Sequence, residues 1–309
     1  MNGYQPEGIF FNENAMSDAA FSLMGLEKAK EKGKILHATV LLCDKEMNLH
    51  VSLGGIIGII PKKEALYPIG SEPVKDIAIL TRVGKAVCFH VKSIEMRDGV
   101  PIAILSRRSA QKECYENKIS TLRAGDIIKA RVTHLEPFGA FLDIGCGIIS
   151  LLPIDAISVS RISHPRARLR VGELIDVIIH SQENGRIYVT RKELLGTWEE
   201  NASRFCAGQT VPGIVRSVES YGIFIELTPN LTGLAELKDN VNAEDDATVY
   251  IKSILPDRMK IKLIILDSGK GLAPIQASSC VSFMPKSPHI DYWRYSPPNA
   301  AKIIETRFS

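Results

Sequence analysis

The chain repeats itself. "AGDIIKARVTHLEPFGAFLDIG" from Ala124 aligns without a gap on "AGQTVPGIVRSVESYGIFIELT" from Ala207, so Gly125 falls on Gly208, Phe138 on Tyr221, Gly139 on Gly222 and Phe141 on Phe224. A fainter copy, "KGKILHATVLLCDKEMNLHVSLG", starts at Lys32 and brings Gly54 to the place of Gly145. The second halves match too, "VGKAVCFHVKSI" from Val83 against "VGELIDVIIHSQ" from Val171. The period is roughly 80 to 90 residues, large enough for one small domain per unit; a period of about 20 to 50 residues would have meant a solenoid.

Within each unit the local pattern is strand. Short β-branched runs alternate with polar residues and break at Gly, Pro, Asn and Asp. The second unit carries such runs at 127–133, 140–144, 148–152, 174–180 and 186–190, with Asn184-Gly185 turning the last pair. Five short strands in a small unit suit a closed barrel, which leaves no exposed edge. "SDAAFSLMGLEKAKEKGK" predicts a helix ahead of the first unit, capped by Ser17 or Asp18 and ended by Gly33. "ELLGTWEEN" predicts a short helical link between units two and three. The predicted organisation is an N-terminal segment with a helix (1–32), units at 33–112, 119–197 and 205–267, and an aromatic, proline-containing tail (268–309).

Alternation decides where the rings of the second unit point. In "GAFLDIG", Ala140, Leu142 and Ile144 share one face, and Phe141 and Asp143 the other. An unpaired carboxylate is costly to bury, so the aliphatic set goes inward and Phe141 and Asp143 face solvent. The third unit repeats this with Ile223, Ile225 and Leu227 inward, and Phe224 and Glu226 outward. Gly139 permits a bulge that would swing Phe138 to the face of Phe141. On the preceding run Lys129 and Arg131 face out, and Arg186 opens the last run. Exposed rings beside cations can stack nucleobases at about 1–3 kcal/mol per base, with a salt-dependent phosphate term added. Single exposed aromatics are also common without function.

These residues resemble a known family. An aromatic three residues before Gly-x-Phe, "ISHP" at 162–165, "VG" at 171–172 and "ENGRIYVTRK" at 183–192 are together similar to the S1 domain, the RNA-binding barrel named after ribosomal protein S1. The resemblance covers units two and three well and unit one loosely. It implies an all-β chain of three tandem five-stranded OB-fold barrels that bind single-stranded RNA on one face. The family's contact set is two aromatics, a histidine after the third strand, and an Asp and Arg around the last turn. Carried over, the second unit keeps Phe138, Phe141 and Arg186, with Pro153 at the histidine position and Ser181 at the acidic one. The third keeps Tyr221 and Phe224, with Lys260 at the basic position and Glu236 for the histidine. The first has Met47 and His50 for the aromatics and Pro61 for the histidine.

Charge points the same way. Residues 119–196 hold ten Lys/Arg against eight Asp/Glu (net +2), residues 205–267 six against nine (net −3), and residues 33–118 thirteen against nine (net +4). The second unit is therefore the best RNA binder and the third an accessory one. The resemblance implies that the first is a docking module, because degenerate N-terminal copies serve protein contacts in that family. His164 and Arg166, with Arg161, Arg168 and Arg170, either extend a phosphate track or form a solvated basic loop, and His164 can equally hold that loop's shape.

Little else suggests chemistry. The six cysteines are scattered without a Cys-x-x-Cys pair, which argues against a zinc ribbon and a disulfide framework and for reduced thiols. The seven histidines lack metal-ligand spacing, and "GSEP" at 70–73 and "DSGKG" at 267–271 are not phosphate-binding loops. No apolar run approaches the ~20 residues of a membrane helix, and the N-terminus lacks a signal core. The expectation is a cytoplasmic, non-enzymatic protein without a cofactor. Its partners would be single-stranded RNA or mRNA, the small ribosomal subunit of a bacterium, and a protein docked on the first unit or the tail. A protein–protein adaptor, or an RNA-binding regulator apart from the ribosome, is the alternative. The tail around Tyr292, Trp293 and Tyr295 either packs across the third unit or docks a partner; Ile303 and Ile304 favour packing.

Overall fold

A computed structural model describes residues 4–8, 18–69, 75–183, 185–271, 283, 285 and 287–308. Ser17, Asn184 and the "GSEP" stretch lie outside the described residues.

Helix α1 (Leu23–Glu31) precedes the first unit. Its N-cap is Ser22, which accepts from the Gly25 amide at 3.1 Å; the expected cap Asp18 begins a short 3-10 turn instead. The first unit comprises β1 (Leu36–Cys43), β2 (Leu49–Leu53), β3 (Ile56–Ile60), the short helix α2 (Asp76–Leu80), β4 (Ala86–Arg97) and β5 (Val100–Ser106). Helix α3 (Arg107–Asn117) follows. The second unit has β6 (Ile127–Glu136), β7 (Gly139–Asp143), β8 (Ile149–Pro153), β9 (Leu174–Glu183) and β10 (Arg186–Thr190). Helix α4 (Trp198–Ala202), closed by a Thr197–Glu200 capping box, leads to β11 (Thr210–Glu219), β12 (Gly222–Thr228), β13 (Leu231–Ala235), β14 (Asp246–Leu255) and β15 (Lys260–Gly269). In the tail, β16 (Tyr292–Arg294) pairs with β17 (Glu305–Arg307).

Each five-stranded sheet closes on itself by the same pairing. The first strand pairs with the second and fourth, the third runs parallel to the fifth, and the fourth and fifth are antiparallel. The second barrel fills with Ala140, Leu142 and Ile144, the inward set that alternation predicts on β7, together with Ala130, Val132, Leu152, Val177, Ile187 and Val189. Truncating one such residue, as in Leu142→Ala, costs about 2–5 kcal/mol.

The chain is mostly β, and α3 corrects the all-β expectation. Its buried positions, Arg107, Ala110, Gln111 and Cys114, recur at helical spacing, but two of the four are polar, so no apolar periodicity announces them. The helix packs with Cys88 of the first barrel and Cys146 of the second in one core. Three cysteines scattered in sequence thus converge; among the described residues none is in a disulfide and no group could hold a metal ion.

Residues 287–308 of the tail pack rather than project. Trp293 and Tyr295 join the core of the third barrel, and the Tyr295 hydroxyl donates to the Asn230 carbonyl at 2.6 Å. The tail also grips the second barrel. Ile127 donates its amide to Pro288, Ile290 donates to Gly125, and Phe308 packs on Ile178 and Leu194. Ile304 is partly buried, but Ile303 is exposed, contrary to expectation.

Candidate nucleic-acid interface

The outward face of the second barrel carries one continuous row. His134 on β6, Phe141 on β7, Leu151 on β8 and Tyr188 on β10 are successive register partners. Phe138 is 55% exposed and meets Phe141 edge-to-face, with centroids 6.0 Å apart and planes at 88°. His134 stacks with Phe141 at 6.4 Å and 27°. Phe141 is half-buried in contact with both rings on the outside of the barrel, so its face, as expected, is not the core.

The third barrel reproduces the pair. Tyr221 is 68% exposed, and its ring lies 6.0 Å from Phe224 with planes at 87°. Its row runs Ser217, Phe224, Leu234, Lys262. In the first barrel the row is Leu42, His50, Ile59, Ile104, so aliphatic residues replace His134 and Tyr188 and a histidine replaces Phe141; His50 is tied to Asp44 at 3.2 Å.

The glycine between the rings acts by close approach rather than by bending the strand. A Cβ on Gly139 would sit 2.5 Å from the Leu152 carbonyl oxygen, and one on Gly222 2.7 Å from that of Ala235. The bulge lies on the opposite strand, at Thr133 and Arg216, where the register slips by one residue. Thr133 donates its hydroxyl to the Phe141 carbonyl at 2.9 Å, which holds the ring-bearing strand in place.

The predicted cations divide. Arg186 and Lys260 are exposed and open β10 and β15, each two residues before the last-strand member of its row. Lys129 is exposed and pairs with Asp176 at 3.1 Å, a surface contact of about 0–1 kcal/mol that a phosphate can displace. Arg131 is engaged, donating to the Glu7 carbonyl at 2.7 Å and the Gly172 carbonyl at 3.2 Å. His164 accepts from the Arg166 amide at 3.1 Å through Nδ1 and caps a 3-10 turn, while the Arg166 side chain is exposed. His134 and Tyr188 complete the face and were missed. Tyr188 had a signal, since it alternates with inward Ile187 and Val189.

Asp143 and Glu226 require a correction. Both leave the barrel on the ring-bearing face, yet they are only 2% and 5% exposed. Asp143 accepts from the amides of Glu7, Gly145 and Gly147 at 2.7, 2.8 and 3.0 Å. Burial and the charge of Glu7 push it up to about 7. Glu226 accepts from Ser160 and Arg216 at 2.7 and 2.8 Å and pairs closely with Arg168, which is therefore not part of an open phosphate track. Asp143 thus ties the N-terminal segment to the second barrel, and Glu226 ties the β8–β9 connection of the second barrel to the third. The first barrel has exposed Ser52 at this position.

The family model of the S1 RNA binding domain matches residues 121–189. The small ribosomal subunit protein bS1 of Leuconostoc lactis is 32% identical over 169 residues, 52% of this chain and 39% of that protein. The bS1 of Neisseria meningitidis is 28% identical over 272 residues, 83% of this chain and 45% of that protein. The chain spans about two fifths of the length of the first bS1 relatives it matches. A multidomain Streptococcus pneumoniae protein with nucleic acid binding domains is 13% identical over 76% of this chain and 73% of its own, with a TM-score of 0.24, too loose a likeness to bear on function. Residues 121–189 belong to the S1 RNA-binding domain family, within a chain related to the bS1 proteins along much of its length.

Proposed function

We propose that the protein is a non-enzymatic binder of single-stranded RNA, mRNA included, that acts in translation with the small ribosomal subunit in the cytoplasm. All three barrels are taken as S1-type modules. Bases stack on Phe138 and Phe141, with His134 and Tyr188 alongside, and Lys129 and Arg186 meet the phosphates. Tyr221 and Phe224 with Lys260 form an accessory platform. The observation that carries this reading is the repeated edge-to-face pair at one register position in two barrels, each with an exposed cation at the start of the last strand. Relatives named as ribosomal proteins support the setting, and among the described residues no helix is long and apolar enough to cross a membrane.

A titration of fluorescent, unstructured RNA tests the reading. Wild-type protein is expected to bind with an affinity that falls with salt, by about 0.7 in log K per log salt for each phosphate contacted. No binding, or a flat salt response, overturns it.

A second reading applies to the first barrel alone. Ile57 is 49% exposed and pairs with Ile102, beside the row of Leu42, Ile59 and Ile104. This aliphatic surface favours a protein contact over RNA, consistent with an adaptor role for that module. Loss of ribosome co-sedimentation in Ile57→Asp protein, with RNA affinity intact, is the expected result.

A further inference from the structure

The outward face of the second barrel does not stop at the rings. Two residues beyond Phe141 on β7, about 7 Å along the strand, it runs into a cleft of about 320 Å³ between the first and second barrels. Arg82 and Lys85 of the first barrel and Arg131 of the second line it, with the Thr39 hydroxyl. Two acids also face it, Glu7 and Asp143.

The charges do not cancel. Glu7 is held by both Nε and Nη2 of Arg107, at 2.7 and 2.9 Å, and lies 3.9 Å from Arg82. Burial opposes ionisation of Glu7, but Arg107 outweighs it and keeps the carboxyl below its usual range. Asp143 is turned into three backbone amides. Arg131 spends the hydrogen bonds described above on neutral carbonyls, which leaves its charge uncompensated by them. The Arg82 Nε is buried and has no acceptor among the described residues. Burial and Arg107 lower the pKa of Arg82, and burial and Arg82 lower that of Lys85. Three cations around a cleft with a buried, unmatched guanidinium donor form a site short of one anion.

We propose that the cleft between the first and second barrels is a phosphate site, which receives the RNA backbone as the strand leaves the Phe138–Phe141 platform. The inference rests on the RNA-binding reading and adds the first barrel to the interface through its basic edge. Neither the aromatics nor the last-strand cation reaches this cleft.

The test compares a three-nucleotide and a ten-nucleotide oligouridylate on the full chain, with Lys85→Gln and Arg82→Gln variants. Lys85 is exposed, so its substitution leaves folding intact even if that of Arg82 does not. The expected result for Lys85→Gln is a several-fold loss of ten-mer affinity and a salt slope lower by about 0.7, one phosphate, with the three-mer unaffected. A wild-type ten-mer affinity and slope in Lys85→Gln overturns the proposal while RNA binding on the platform stands. If wild-type protein binds neither oligomer, the RNA reading and this inference fall together. A third arm titrates uridine monophosphate into Phe138→Ala/Phe141→Ala protein. Lys85-dependent saturation at micromolar concentration would assign the cleft to a free nucleotide and overturn the RNA assignment.

Discussion

The second and third barrels share a strand order, an edge-to-face ring pair and a buried carboxylate two residues past the second ring, and they differ in what surrounds these features. Farther along the same strand as His134, the second barrel sets Lys129 and Arg131, where the third has Pro212 and Ile214. Behind the rings, Asp143 is held by backbone amides and Glu226 by two arginine side chains and a serine. The repeat therefore keeps the ring geometry, while the charge along the first strand and the contacts that hold the buried carboxylate differ between the two copies.

The latch separates the two most strongly. Glu226→Ala removes the buried carboxylate that Arg168 and Arg216 share and leaves Arg216 only its second partner, Glu244 at 2.9 Å; the expected loss is about 3 kcal/mol. Asp143→Ala leaves backbone amides unmatched, at about 1–3 kcal/mol. Urea unfolding measures both, and equal losses would break the distinction between the latches.

The platforms come next. Phe138→Ala/Phe141→Ala removes stacking of about 1–3 kcal/mol per base, so RNA affinity is expected to drop on the order of 10- to 100-fold. Tyr221→Ala/Phe224→Ala, in a barrel of net −3 (six Lys/Arg against nine Asp/Glu in 205–267), is expected to cost only a few-fold. The reverse order would show that ring geometry outranks charge.

The Asp143 latch should also respond to pH. Its folded value of about 7 stands above the ordinary 3.8, so the folded protein holds a proton that the unfolded chain releases. Stability from this group is full below pH 3.8 and is lost as pH rises through about 7. Glu7 has the opposite sign, contributing above its ordinary 4.5 and losing that contribution as pH falls through its lowered folded value. Between pH 5 and 8 the urea midpoint of wild-type protein is expected to decline more than that of Asp143→Asn, which cannot titrate there.

The smallest effect concerns the tail on the second barrel. Hydrogen bonds to Asp126 (2.6 Å) and Asp291 (3.1 Å) raise the pKa of His289 above 6.5. Its contribution is full below pH 6.5 and fades as pH rises through the raised value. Amide exchange at Ile127 and Ile290 should quicken modestly there, beyond the intrinsic rise, and His289→Ala should remove the pH dependence.

Much of this was legible in the residues themselves. Period-two alternation in "GAFLDIG" and "GIFIELT" sends Leu142 and Ile225 inward and both phenylalanines outward, because a strand has only two faces. The repeat sets three units, because each can bury an apolar face of its own. Outward, however, is not the same as solvated. Alternation places Asp143 and Glu226 on the outer face correctly, but only the arrival of Glu7 and Arg168 from distant segments buries them. Likewise Arg131 reads as a free cation until the N-terminal segment meets it, and α3 stays hidden because Arg107 and Gln111 carry half of its buried stripe. Local sequence sets which way a side chain leaves its strand, since that depends on backbone geometry a few residues long. What the side chain meets there depends on partners far away in sequence, 58 residues for Arg168 with Glu226 and 136 for Glu7 with Asp143, and only the assembled barrels decide it.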